Sequence, residues 1–145
     1  MQKLLPLLTG QQAPGVYRLR SSASVDYILA TVQPYGWQPA HLVGEQIASK
    51  AALLHACASA FHFPTYFGHN WDALEDSLRD LAWLPAKGYL LLYDNVSTLA
   101  KPQPQDWAVA LAIFQEVSAH WHNMNIPFVV LLRHVGRSAA SVEKL

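Results

Sequence analysis

One cysteine, Cys57, stands in 145 residues, so no disulfide can form within the chain. A reducing cytoplasm is the natural expectation. No apolar run approaches the ~20 residues of a membrane-spanning helix. The opening Met1–Thr9 carries one lysine and an apolar run broken by Pro6, too short for the core of a secretion signal. Charge is scarce at 14%, against about 25% in an ordinary soluble domain. Together with 52% hydrophobic residues this excludes intrinsic disorder and leaves apolar surface for a partner or a second copy. Neither sign of charge prevails: ten basic and ten acidic residues cancel, which disfavours direct binding of nucleic acid. The seven glycines are scattered, and none opens a helix in a G-x-G-x-x-G frame, so a nucleotide-binding enzyme is not expected and no cofactor is implied.

What charge there is falls unevenly. Residues 1–61 hold four basic and two acidic side chains, and residues 117–145 hold three and one. Residues 62–116 hold three basic and seven acidic, a net −4, and four of those acids lie between Asp72 and Asp80. Locally dense charge of one sign steers a partner of the other sign even when the total is zero.

Strand and helix patterns alternate along the chain. Gly15–Leu19 and Ala40–Val43 read as short strands. Tyr89–Tyr93 and Pro127–Leu132 are continuous apolar runs, as in strands covered on both faces. Ser24 caps a helix with Val25, Ile28, Leu29 and Val32 on one face, ending before Pro34. Ser49 caps a second helix with Leu53, Cys57, Ala60 and Phe61 on its stripe and Pro64 as its stop. Asn70 caps a third, Trp71 to about Ala82, and Asp106 is expected to cap a long fourth from Trp107 to about His122. Its inward stripe is Trp107, Ala110, Leu111, Phe114, Ser118 and Trp121. Helices between buried strands imply parallel pairing by right-handed crossovers. The expected architecture is α/β: a single domain over 1–145, with a small parallel sheet flanked by helices. Residues 1–37 form an added N-terminal strand and helix, 38–134 the core, and 135–145 a small, polar, frayed tail.

The third helix carries the informative pattern. Trp71, Leu74, Leu78 and Leu81 share one face, and Asp72, Asp76 and Asp80 recur at i, i+4, i+8 on another. Like charges at that spacing cost a helix about 0.2–0.5 kcal/mol per pair. The first-turn dipole offsets this for Asp72 alone, and Arg79 can pair with Asp76 or Glu75. Before this helix, Phe61, Phe63, Tyr66 and Phe67 crowd one loop. The three phenylalanines suit sealing against a core, whereas Tyr66, with its polar tip, suits a surface contact.

The run Tyr66-Phe-Gly-His-Asn-Trp-Asp-Ala-Leu-Glu-Asp-Ser-Leu78 resembles, without a gap, the signature of the barstar family, intracellular inhibitors of barnase-type ribonucleases. Val43-Gly-Glu-Gln-Ile47 and Leu111-Ala-Ile-Phe-Gln-Glu116 resemble the family's first-strand end and last helix, so the likeness runs from about Ala40 to Leu132. It implies a barstar-like fold and an inhibitor or immunity protein, not an enzyme. The partner would be a basic ribonuclease or nuclease toxin whose active site is occluded, with no metal, no nucleic acid and no membrane involved. The family's aromatic, two aspartates and last-helix glutamate fall on Tyr66, Asp72, Asp76 and Glu116. Asn70 within the motif and Asp80 on the same face complete the partner-binding set. Carboxylates on a rigid helix imitate the phosphates that such a nuclease binds with arginine, lysine and histidine. Glu75 stands where classical members have tryptophan, and His69 and Arg79 add positive charge near the acids, which points to a partner other than barnase itself.

Two other readings compete. A metal-dependent hydrolase would use Asp72 and Asp76 with His69 or Glu116 around a hard cation. A non-inhibitory interaction module would pair through the N-terminal strand as an open sheet edge. The histidines offer little to zinc, because His120 and His122 lie about 200° apart on a helix. Oligomeric state is not legible.

Overall fold

The computed structural model describes residues 1–145. Five parallel strands form one sheet: β1 (Val16–Arg18), β2 (Trp37–Val43), β3 (Gly88–Asp94), β4 (Phe128–Leu132) and β5 (Glu143–Lys144), in the order β2-β3-β4-β1-β5. The helices are α1 (Leu5–Leu8), α2 (Val25–Val32), α3 (Lys50–Ala60), α4 (Trp71–Asp80), α5 (Ser97–Ala100) and α6 (Pro104–Asn123).

Three helix starts follow from their caps. The side-chain oxygens of Ser24, Ser49 and Asn70 accept from the N–H groups of Tyr27, Ala52 and Ala73. Each satisfies one donor that the first helical turn would leave unpaired. The start of α6 differs from expectation. Its cap is Gln103, with Pro104 at the first helical position and Asp106 inside the first turn. Proline's fixed φ suits that position, and its missing N–H costs nothing there. The helix α4 ends at Asp80, with Leu81 left-handed at φ 46°.

Strand β2 is longer than its sequence pattern and contains Pro39. It lies at the sheet edge, where a missing N–H breaks no ladder. Across from it, Trp37 pairs with Gly88. A Cβ on Gly88 would stand 2.6 Å from the Trp37 ring, so the indole lies on backbone that a side chain would push away.

Both faces of the sheet are covered, and the two-residue period of a strand divides its side chains between them. Tyr89, Leu91, Tyr93, Phe128, Val130 and Leu132 join the larger core with residues of α3, α4, α5 and α6. Leu90, Leu92, Val129 and Leu131 join a second core with Leu4, Leu7, Tyr17, Leu19, Ile28 and Val32. The N-terminal segment thus packs on the same sheet as the rest.

Two expectations are corrected. Strand β1 is not an open edge: it lies between β4 and β5. The segment after Gly136 does not fray: Ala139 and Val142 are buried in the larger core, and Glu143 and Lys144 pair with Tyr17 and Arg18. On α6, Ile113 and Val117 join the buried stripe, while Leu111 is half-buried. No helix is long and apolar enough to cross a membrane.

Candidate functional site

The loop ahead of α4 is fastened from beneath. Phe61 and Phe67 are buried, and Phe63 meets Phe67 and Trp83 edge-on at 4.9 and 6.0 Å between ring centres. The Trp83 indole N–H donates to the Phe61 carbonyl at 2.9 Å. The rings seal the loop, and Tyr66 is left 80% exposed, the most exposed large hydrophobic side chain in the protein. His69, left-handed at φ 51°, carries the chain into the cap, its Nδ1 2.9 Å from the Phe67 carbonyl oxygen. Asn70 then works in both directions. Its Oδ1 accepts from the Ala73 N–H at 2.8 Å, and its Nδ2 donates to the Gly68 carbonyl at 3.2 Å.

The helix α4 is held by Leu74, Leu78 and Leu81, all buried. The indole N–H of Trp121 on α6 donates to the Leu78 carbonyl at 2.8 Å, tying the two helices together. Asp72, Asp76 and Asp80 are exposed. Arg79 takes Glu75 and not Asp76, at 3.1 Å, so none of the three aspartates has a cation within ion-pair reach. Glu116 is exposed on α6, also without a cation. Tyr66, Asn70, Asp72, Asp76 and Asp80 therefore share one continuous loop-helix segment. Glu116 stands apart from it, on the helix that braces α4, and no hydrogen bond joins it to the acidic face. At the start of α4, Lys50 of α3 sits 5.2 Å from the centre of the Trp71 ring, a cation–π contact that no sequence spacing announces.

No three of His, Cys, Asp and Glu converge where they could hold a metal ion, so Asp72 and Asp76 form no three-ligand set with His69 or Glu116. The family described as Barstar (barnase inhibitor) matches residues 37–133. The chain belongs to the barstar family. No curated protein matches it in sequence. Barstar proteins are inhibitors and not catalysts, and a ribonuclease-type partner goes with the family. The match begins at the first residue of β2 and ends just beyond β4, and so leaves out α1, β1, α2 and β5.

Sequence reasoning missed one buried polar group. Asp94 at the end of β3 is 5% exposed and Arg133 after β4 is 7% exposed. The Arg133 guanidinium grips the carboxylate through Nε and through Nη2, the latter at 3.0 Å, and His41 Nε2 lies 3.0 Å from the same carboxylate. Burial alone would raise the Asp94 carboxyl. The hydrogen bonds and positive charge of Arg133 and His41 outweigh it and hold the group below the usual carboxylate range. Arg133 also donates from Nη1 to the carbonyls of Ser21 and Ala23 at 3.1 and 2.7 Å, and so pins the loop after β1.

Proposed function

We propose that this chain is an inhibitor of the immunity or antitoxin kind, which occludes the active site of a basic ribonuclease or related nuclease toxin with Tyr66 and the acidic face of α4. The observation that carries the reading is the trio Asp72, Asp76 and Asp80, exposed and without an internal counter-ion on a helix anchored by Leu74, Leu78 and Trp121. A solvated helix face gains nothing from three like charges in a row. A face that meets phosphate-binding cations gains charge-assisted hydrogen bonds from them. Tyr66 supplies the exposed aromatic anchor typical of interface centres, and Asn70 fixes the loop that presents it. Glu116 contributes from α6 at the margin of the contact. Such an inhibitor acts where its nuclease would do harm, in the cytoplasm.

The test is inhibition. The protein is used to capture a small basic nuclease from host lysate, and that nuclease is assayed on RNA with and without the inhibitor. Stoichiometric loss of cleavage supports the reading, provided that the Asp72→Ala/Asp76→Ala double variant fails to produce it. Inhibition by that double variant equal to the parent's refutes it.

A further inference from the structure

The largest cavity lies far in sequence from the acidic helix. It is an open cleft of about 800 Å³ at the carboxyl ends of β1 and β4. Of its twelve lining residues, all but Leu132 and Arg133 fall outside the span matched to the barstar family. The cleft is therefore a product of the added strand.

Its position follows from the winding of the chain. After β1 the chain turns to the face of the second core, where Ile28 and Val32 of α2 are buried. After β4, the strand beside it, the chain turns to the opposite face, where Ala139 and Val142 are buried. Two adjacent parallel strands whose exits go to opposite faces leave a crevice between them. In open α/β sheets that crevice, beyond the carboxyl ends of the strands, is where ligands bind.

Its chemistry is one-sided. Arg18, Arg20, Lys144, His134 and Arg133 line it, and no acid does. Arg133 is already matched by Asp94, whereas Arg18, Arg20 and Lys144 have no carboxylate within ion-pair reach. The nearest acids in sequence, Asp26, Glu143 and the terminal carboxylate of Leu145, are not in the lining. The wall is built and not merely a group of surface side chains. Arg133, over nine-tenths buried, draws the carbonyls of Ser21 and Ala23 toward itself. Arg18 Nε donates to the Val142 carbonyl at 2.7 Å, and Lys3 Nζ holds the Arg20 carbonyl at 3.0 Å. The N–H groups of Ser21 and Ser22 donate to no protein acceptor. The carbonyls of Arg20, Ser21 and Ala23 are thus occupied by internal donors, and the unpaired side-chain cations remain for a ligand.

We propose that this cleft binds a small phosphorylated molecule with at least two negative charges. Arg18 and Arg20 present planar forks to phosphate oxygens and Lys144 a point charge. A glycine-rich phosphate loop is absent from the chain, and this arrangement does without one. The site uses none of the residues assigned to nuclease inhibition, so either reading can fail alone.

The experiment uses the full chain with inorganic pyrophosphate and, separately, adenosine diphosphate as probes, against sodium sulfate at matched ionic strength. Saturating pyrophosphate should raise Tm by about 5–10 °C. It should also shift the amide resonances of Arg20–Ala23 and His134–Gly136 in a saturable way. A response to pyrophosphate alone assigns the cleft to free polyphosphate, and a response to both probes assigns it to a nucleotide-type diphosphate. Either supports the proposal. Arg20→Gln/Lys144→Gln alters two exposed side chains that make no side-chain hydrogen bond, and should weaken binding at least about tenfold with unchanged unliganded Tm. The proposal is overturned by equal stabilisation with sulfate, by full binding in the double variant, or by no saturable response. Binding of a single-stranded oligonucleotide with none of either probe would also overturn it.

Discussion

Replacing Asp76 with alanine sets stability and binding against each other. Asp76 is exposed on α4 between Asp72 and Asp80, each one turn away. Removing its charge relieves two i, i+4 repulsions of about 0.2–0.5 kcal/mol each. Alanine also gains about half a kcal/mol of helix propensity over aspartate. No ion pair is lost, because Arg79 is engaged by Glu75 at 3.1 Å. The variant should therefore be more stable by about 1 kcal/mol, a rise in Tm of about 2–4 °C for a chain of this length. Binding should move the other way. A cation in the nuclease site that closes over an alanine stays buried and unpaired, at a cost of about 2–5 kcal/mol, or from about 30-fold to a few thousandfold in Kd. That magnitude was established partly on the barnase–barstar pair itself and is carried over to this relative. Calorimetric unfolding and titration against the captured nuclease, on the same preparations, give both numbers. Parental affinity in Asp76→Ala would refute the reasoning and return the acidic face to ordinary solvated surface.

Association with the nuclease should slow as salt rises past about 0.1 M, where the Debye length falls to about 10 Å; stopped-flow rates that stay flat with salt would exclude steering by the acidic face. The Asp94 carboxyl lies below its ordinary value, so its contribution is complete above the unfolded value near 3.9 and is lost as pH falls through the folded one. Asp94→Asn should flatten that acid limb and cost about 3–5 kcal/mol near neutral pH by leaving Arg133 buried without its counter-charge, as read by urea unfolding across pH. The Tyr93 hydroxyl is buried with no hydrogen-bond partner, and burial pushes its pKa up. Tyr93→Phe should therefore raise stability by about 1 kcal/mol, and a loss would show that the hydroxyl has a partner in solution. Deleting residues 1–36 should uncover Leu90, Leu92, Val129 and Leu131 and give an aggregating or unfolded product on size-exclusion chromatography; a monomer with unchanged Tm would show the segment to be an appendage.

The sequence disclosed what is local. Helices α2, α3 and α4 were legible because Ser24, Ser49 and Asn70 act on N–H groups three residues away, within reach of any spacing rule. The buried strands β3 and β4 were legible because runs such as Tyr89–Tyr93 have no polar face to offer water. The expected acidic stripe and inward leucines of α4 lie where the helical period puts them. What failed was long-range. The position of β1 between β4 and β5 depends on partners more than 100 residues away, and the tail's docking depends on a pocket for Ala139 and Val142 that no tail composition reveals. Asp94 joins residues 39 and 53 positions away, so no motif search could have assembled it. The choice of Glu75 over Asp76 by Arg79 was open from spacing and is a matter of rotamer.

The composition of the matched span already calls for the segment outside it. A strand with one wet face alternates apolar and polar residues, yet Leu90, Leu92, Val129 and Leu131 put only apolar side chains on the face opposite the larger core. Something must cover them, and Leu4, Leu7, Ile28 and Val32 do. The cover must also attach, and β1 does so by adding to the sheet beside β4. A strand added there sends its exit to one face while β4 sends its own to the other, so the basic crevice follows from the same act that closes the second core. The acidic face owes nothing to this, because α4 rests on α6 and the larger core. One sheet thus carries two surfaces of opposite charge on independent supports. Variants of Asp72, Asp76 or Asp80 should leave the cleft's affinity for pyrophosphate unchanged, and variants of Arg20 or Lys144 should leave nuclease inhibition unchanged.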